Sequence, residues 1–490
     1  MARLQKGHKR MTFFGMKSHS LTNLRWGVAA AALAAGSMVF AETTPEPEDL
    51  LAGTQEAASV VPAGQVPEVA SPSTMDQAFP DMVSNPMVQG ELTVDSIALV
   101  GPWSVINALA LIDVIENIAA EGLDPADYDA QALKTSVAAG PSEELDHLAS
   151  KNFIWLVEDM RDGRTPMDAR EQWFVSDPDR DFLRTGELLT KALESGDIAG
   201  ILQGLAPTHP DYAQLKVALA ETLADDVDRR KLIRANMDRW RWLARDLGKK
   251  YLLTNVPEFQ LRLTVNNRII SSYRTIVGKP GRTATPQFAE TVEGVVFNPT
   301  WTVPQSIVKG EGLGQKVLNN PAWAKTKGYV VTRGEGGWIG VVQQPGPTNS
   351  LGRVKLEMPN RHAIFFHDTP ARHLFSNDMR ALSHGCIRTE RALELAITMV
   401  ILGKGATKEE AIEIATSGKY TKVPINQKLP VYITYFTMAS DINGEMKTFD
   451  DVYGRDKPVV ASLDRPRVKD RSNVIDDEVI VIDNNPLVGG

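Results

Sequence analysis

Residues 259–277 read Phe-Gln-Leu-Arg-Leu-Thr-Val-Asn-Asn-Arg-Ile-Ile-Ser-Ser-Tyr-Arg-Thr-Ile-Val. Phe259, Leu261, Leu263 and Val265 alternate with Gln260, Arg262 and Thr264. That is the period of two that turns one face of a strand towards a core. Asn266-Asn267 is a turn dipeptide that sends the chain back through 268–277. The same texture begins at Tyr251 and recurs in runs at 292–297, 328–331, 353–358, 363–367 and 431–439, with a turn at Asn443-Gly444. One apolar helix, 390–402, interrupts it. Residues 251–455 are therefore expected to form a mostly-β, β-sandwich-like domain with a few helices.

Towards the N-terminus the period changes to that of a helix. Leu109, Ile112, Ile115 and Ile118 recur in a segment that ends near Gly122, and helices are also predicted at 145–160, 183–193 and 212–223. Residues 95–227 thus read as an all-α scaffold domain. A connector helix, 228–250, carries Ile233, Met237, Trp240, Leu243 and Leu247 on one face and stops at Gly248. Its Arg and Trp residues fit a packed helix with a solvated basic face better than a nucleic-acid surface. The fold class is multidomain, an all-α scaffold followed by a mostly-β domain.

The outer segments have a different character. Residues 42–94 are rich in Pro, Ala, Val, Ser, Thr and Glu, and no Lys or Arg occurs between Arg25 and Lys134. This composition predicts a disordered acidic linker. Before it, Arg3, Lys6, Lys9, Arg10, Lys17 and Arg25 precede an Ala-rich apolar run, 26–41, closed by Val39-Phe40-Ala41. Residues 1–41 read as a signal peptide cleaved after Ala41, with Met11 or Met16 as alternative starts, and the expected location is the periplasm. A retained, uncleaved signal is the alternative, and it would be the only tether to a membrane. Residues 456–490, without an apolar period before 479–482, are expected to be a mobile tail.

Over the 490 residues, 43% are hydrophobic and 23% charged, as in soluble globular proteins. A net charge of -8 disfavours nucleic acid as a partner. The single cysteine excludes an internal disulfide. Its surroundings set it apart from a small buried hydrophobe, because His362, His367, His373 and His384 all fall just before Cys386.

The central string is Ser383-His384-Gly385-Cys386-Ile387-Arg388. A thiol at the start of the helix that follows would feel the positive end of its dipole, and Arg388 would favour thiolate further. The N–H groups of Gly385 and Cys386 are candidate oxyanion donors. His367 closes a strand in Phe365-Phe366-His367-Asp368-Thr369-Pro370 and is the candidate base, with the carbonyl of Asp368 the nearest group to orient it. The same histidines and Cys386 could ligate zinc, but none of their spacings is usual for a zinc site, so no metal and no cofactor is expected. His362 and His373 read as surface or hydrogen-bonding residues.

His367-Asp368-Thr369-Pro370 followed by Ser383-His384-Gly385-Cys386-Ile387-Arg388 resembles the signature of the YkuD-type L,D-transpeptidases. Within that family the chain is similar to the YcbB-like branch. The similarity rests on the Trp301 segment 298–304, on the run 345–353 that contains Asn349, and on Glu121-Gly122-Leu123-Asp124-Pro125 with Tyr128. Two features depart from that branch. Leu223 passes almost directly into the connector helix, with no room for a small peptidoglycan-binding domain, and the capping segment 333–343 is short.

The resemblance implies a peptidoglycan stem tetrapeptide as donor, attacked by Cys386 with His367 moving protons, and a side-chain amine of a neighbouring stem as acceptor. The product would be a 3→3 cross-link. His384, Arg388 and Asp368 would shape or orient the site, Ser383, Trp301 and Asn349 would line the groove, and carbapenems would acylate Cys386. L,D-carboxypeptidase, lipoprotein-anchoring and 1→3 cross-linking activities use the same acyl-enzyme, and a non-catalytic cell-wall scaffold is the alternative outside enzymology. A papain-like hydrolase is excluded by order, since here His precedes Cys.

Overall fold

The computed structural model describes residues 102–175, 179–266 and 268–468, all within one compact unit spanning 71–490. The expected signal peptide, 1–41, and linker, 42–94, lie outside the described residues.

The first half is helical, as its periodicity predicts. Its helices are α1 (Val105–Asn117), α2 (Ala130–Ala139), α3 (Glu143–Asp162), α4 (Asp179–Phe182), α5 (Thr185–Ser195), α6 (Ile198–Gln203), α7 (Pro210–Glu221) and α8 (Val227–Trp240). Ser104 caps α1 by accepting from the Asn107 N–H, and Ser142 caps α3, whose first turn holds Glu143, Glu144 and Asp146. α1 runs into a tighter turn, Ile118–Glu121, and Gly122 ends it with φ 74. The face of α1 turned inward is Ala108, Leu111, Ile112 and Ile115, whereas Leu109 is exposed. These residues join Leu133, Phe153, Leu156 and Leu189 in one core.

The connector is shorter than expected. α8 stops at Trp240, and the chain continues without helix to Gly248. Its apolar face nevertheless serves as the joint. Trp240 stacks on Phe436 at 4.4 Å and on His209 at 4.2 Å. The buried Arg239 guanidinium reaches Asp456 at 2.6 Å and the Arg455 carbonyl at 2.9 Å.

The second half contains strands β1 (Lys250–Asn255), β2 (Gln260–Val265), β3 (Arg268–Gly278), β4 (Phe288–Phe297), β5 (Trp301–Thr302), β6 (Tyr329–Arg333), β7 (Ile339–Gln343) and β8 (Val354–Glu357). They are followed by β9 (Phe366–His367), β10 (Ala381–Ser383), β11 (Ile387–Thr389), β12 (Thr421–Thr434), β13 (Met438–Ser440) and β14 (Met446–Thr448). Helices α9 (Leu313–Asn319), α10 (Pro321–Thr326), α11 (Ala392–Leu402), α12 (Lys408–Thr416) and α13 (Asp456–Leu463) complete it. The main sheet runs β10-β3-β11-β9-β8-β4-β12-β1-β2, and β2 also pairs with β3. That pairing joins one end of the sheet to β3, the strand next to its other end, giving the mostly-β second half expected from the sequence. α11 supplies Leu395, Ala396 and Met399 to the core that the sheet wraps.

Between β4 and β8 the chain makes a small body of its own. β5, β7 and β6 form a three-stranded sheet, and with α9 and α10 they bury Val303, Val308, Val317, Ala324 and Val341. The hairpin at 334–338 is tight, as its length suggested, with the Gly334 N–H donating to the Trp338 carbonyl at 2.9 Å.

The C-terminal expectation needs correction. Residues 456–468 are not a mobile tail. α13 packs on α8, and Arg467 is buried with Asp159 at 2.9 Å and Glu158 beside it. The short helix buries Val459 and Leu463, too few apolar positions for a period to be visible. The rest of the tail, 469–490, lies outside the described residues.

Candidate active site

Cys386 sits in the loop between β10 and β11, so it is not at a helix start. A strand, β11, intervenes, and α11 begins only at Ala392. The thiol thus receives no help from the helix dipole. β11 runs parallel to β9 with Ile387 opposite Phe366 and Arg388 opposite His367, while β8 runs antiparallel on the other side with Lys355 opposite His367. Because side chains alternate along a strand, Cys386 and Arg388 share a face with Phe365, His367 and Lys355. The Lys355 ammonium lies 4.0 Å from the centre of the Phe365 ring, and the Phe365 and His367 rings are 5.6 Å apart. Neighbouring strands β9 and β11 place Cys386 and His367 on one sheet face, and β8 adds Lys355, which the sequence reading missed. In the sequence it is one of two charged residues, with Glu357, that alternate with Val354 and Leu356 in a short strand, a pattern that reads as an ordinary solvated face.

His367 is buried, and its Nδ1 lies 2.6 Å from the Asp368 carbonyl oxygen. A carbonyl accepts only, so Nδ1 carries the hydrogen and Nε2 is left as the base. Burial, reinforced by Arg388 and Lys355, lowers the imidazole to about 3. The ring is therefore neutral near neutrality.

The thiol is half-buried. Burial raises Cys386 above the ordinary thiol value, while a backbone hydrogen bond from Phe365 and the charges of Lys355 and Arg388 oppose that rise. The expected thiolate-favouring site is thus, at rest, a protonated thiol. Its hydrogen points to the Ala363 carbonyl, 3.6 Å from Sγ.

Two expectations for the loop change. Ser383 is buried, its Oγ donating to the Cys386 carbonyl at 2.6 Å and accepting from the Gly385 N–H at 3.1 Å. Ser383 is therefore a brace of the loop and not a groove residue. The Gly385 N–H is also occupied, which leaves the Cys386 N–H, without a hydrogen-bond partner among the described residues, as the remaining candidate for an oxyanion donor. Gly385 itself has φ 114, a conformation that other residues resist. Its carbonyl accepts from Thr285 Oγ1 at 2.7 Å, and the same hydroxyl accepts from the Gly278 N–H at 2.9 Å.

Asp368 turns its carboxylate away from His367, to the Arg353 N–H at 2.9 Å and Arg372 at 3.6 Å. His384 is exposed and pairs with Glu311 of the small inserted body at 2.8 Å. Asn349 is fully buried and donates to the carbonyls of Pro299 and Gln344 at 3.0 and 2.9 Å. It ties down the base of the insertion and lines no groove. Trp301 is half-buried in β5 opposite Gln343. Neither Trp301 nor Asn349 hydrogen-bonds to Cys386 or His367 among the described residues. His362 is a buried residue rather than a surface one, packed between Phe174 and Phe288. Among the described residues no three His, Cys, Asp or Glu side chains gather in a metal-holding group.

Residues 249–425 match the family model described as YkuD, the L,D-transpeptidase catalytic domain, and residues 103–219 match a scaffold domain model. A Haemophilus influenzae protein named "Putative L,D-transpeptidase" is 26% identical over 303 residues, covering 59% of this chain and 60% of that protein. The chain thus spans about 60% of that relative's length. Among solved structures, an L,D-transpeptidase from Mycobacterium smegmatis aligns at 12% identity over 38% of this chain and 58% of that one, with a TM-score of 0.20. The Ldtfm-avibactam carbamoyl enzyme aligns at 12% identity over 38% and 49%, with a TM-score of 0.20. The family matches, not these superpositions, carry the comparison: residues 103–219 are similar to a scaffold domain and residues 249–425 to the YkuD L,D-transpeptidase catalytic domain.

Proposed function

We propose that the protein is a periplasmic L,D-transpeptidase of the YcbB-like branch that joins peptidoglycan stem peptides by 3→3 cross-links. The observation that carries this reading is the shared sheet face of Cys386, a neutral His367 with a fixed tautomer, and the two cations Lys355 and Arg388.

The chemistry follows from that arrangement. His367 Nε2 takes the thiol proton, and the thiolate is held by Lys355 and Arg388. The sulfur attacks the carbonyl of the third residue of a donor tetrapeptide. Negative charge develops on the carbonyl oxygen near the Cys386 N–H. The bond to the terminal D-Ala breaks, and the imidazolium returns its proton to the leaving amine, giving a thioester. An acceptor side-chain amine then attacks the thioester, loses a proton to His367, and expels Cys386 as thiolate, which is reprotonated. No step needs a cofactor. Water as acceptor would give L,D-carboxypeptidase activity, and a lipoprotein lysine or a first-residue linkage would use the same intermediate. Carbapenems, as acyl donors of similar reach, are expected to acylate the same sulfur.

The reading is tested by incubating the purified protein with disaccharide tetrapeptide and analysing products by mass spectrometry. A dimer lacking one D-Ala, absent with Cys386→Ala, supports it. Tripeptide alone would identify the hydrolase. Neither product from a folded protein would favour a non-catalytic scaffold.

A further inference from the structure

A short extended segment of the helical half, on the N-terminal side of α4, lies against the catalytic half just behind the nucleophile. Trp173 bridges Gln287 in parallel register, with the Phe174 N–H donating to the Gln287 carbonyl at 2.7 Å and the Gln287 N–H to the Gln172 carbonyl at 3.0 Å. Gln172 sits at φ 51, in the left-handed region, and its side chain is held by Arg455. We propose that this scaffold segment, Gln172–Phe174, is a positioning element of the active site that holds the Cys386 loop through two separate lines of contact.

The first line runs along the backbone of 285–287. Gln287 Nε2 donates to the Thr285 carbonyl at 2.9 Å. Thr285 Oγ1 in turn donates to the Gly385 carbonyl at 2.7 Å, next to the nucleophile. Both Thr285 and Gln287 are fully buried.

The second line runs through rings. Phe174 packs on His362 at 4.5 Å, and Phe288, next to Gln287, packs on it at 5.2 Å. His362 is 5% exposed, and its Nδ1 finds no hydrogen-bond partner among the described residues. Packing rather than polar bonding therefore fixes the ring. The next residue, Ala363, adopts φ 53, where an L-residue with a Cβ is strained. Its carbonyl is the acceptor of the Cys386 thiol. Phe174 thus closes one end of a chain whose other end is the reacting sulfur.

A carbonyl acceptor favours the protonated thiol, so loosening it favours thiolate. The other groups acting on the sulfur are the Phe365 N–H, Lys355 from β8 and Arg388 from β11, with His367 on the same sheet face; the ring contact of Phe174 is to His362. The segment contacts no reacting group itself, and the proposal rests on the reading of Cys386 as nucleophile.

The test uses the full chain, whose single cysteine makes alkylation unambiguous. The rate of Cys386 alkylation by iodoacetamide is measured against pH for the parent, Phe174→Ala and Phe174→Leu, with circular dichroism to show folding. The alkylation midpoint is expected to fall by about half a unit or more in Phe174→Ala as the carbonyl bond loosens, with Phe174→Leu between it and the parent. Donor turnover is expected to lose kcat several-fold with little change in KM, because the sulfur is no longer held on line. A folded Phe174→Ala with the parent's midpoint and kcat overturns the proposal. Should Phe174→Ala fail to fold, parent-like values in Phe174→Leu overturn it. A shifted midpoint in a protein whose parent turns over no donor would leave the positioning role standing and remove the enzymatic reading.

Discussion

His367 Nδ1 lies 2.6 Å from the carbonyl oxygen of its own neighbour, Asp368. That bond sets the tautomer without a carboxylate, since the Asp368 side chain is spent on the Arg353 N–H and Arg372. The proposed base is therefore oriented by backbone. Asp368→Asn is expected to keep most of its activity, whereas His367→Ala is expected to lose roughly 10²–10⁴-fold in donor turnover. Equal losses in the two variants would contradict this division of labour.

Lys355 faces the sulfur from the strand beside β9. Replacing it by Met removes a cation that favours thiolate, so the Cys386 alkylation midpoint should rise by about one unit. Turnover at neutral pH should fall in step. An unchanged midpoint in Lys355→Met would show that the ammonium does not act on the thiol.

The hydroxyl of Thr285 joins the Gly278 N–H to the Gly385 carbonyl. Thr285→Val keeps the shape and leaves both buried groups without their bond, at a cost of about 1–3 kcal/mol in stability. Acylation should slow as well, and Thr285→Ser should restore it. Urea denaturation and carbapenem acylation rates measure the two effects. A fully active Thr285→Val would sink the idea that this bond holds the loop.

Burial depresses His362 to about 4 and His367 to about 3. The unfolded chain, with histidines near 6.5, binds protons that the folded state refuses. Their contribution to stability is complete above about pH 6.5 and is lost as pH falls from there towards the folded values. Denaturant midpoints should decline across that window. His362→Phe, which fills the same place between Phe174 and Phe288, should decline less, and a decline equal to the parent's would contradict the assignment.

Much of this was legible in sequence, for reasons that differ by element. Strand β2 and its turn into β3 could be read because one face is buried and the other is not, which leaves alternation visible. β12 was seen only from Val431, and the part missed contains Pro424 and Pro430, residues unusual inside a strand. In the structure both lie in a strand whose register shifts between Pro424 and Leu429. The candidate pair His367 and Cys386 could be named from the motif alone. Lys355 did not, because a register between β8 and β9 is a tertiary fact. The helix-start picture of Cys386 failed for a local reason: Ile387–Thr389 are too few residues for any period, yet they form the strand that aims the thiol. Ser383 and Asn349 were misread as groove residues because polar side chains near a motif look alike whether they face substrate or brace a loop.

The docked C-terminal segment adds a prediction on stability. Arg467 is buried against Asp159 and Glu158 of α3. Arg467→Ala takes a cation from two acids in a dry site and should cost about 3–5 kcal/mol in denaturant unfolding. A change under about 1 kcal/mol would mean that the pair behaves like a surface salt bridge.

The central claim is that Cys386 is an activated nucleophile. Intact-mass spectrometry of the purified protein after incubation with meropenem, beside Cys386→Ala, tests it most directly. One covalent adduct on the parent and none on the variant is the predicted result. A folded parent that stays unmodified, or a variant that is modified equally, would contradict it.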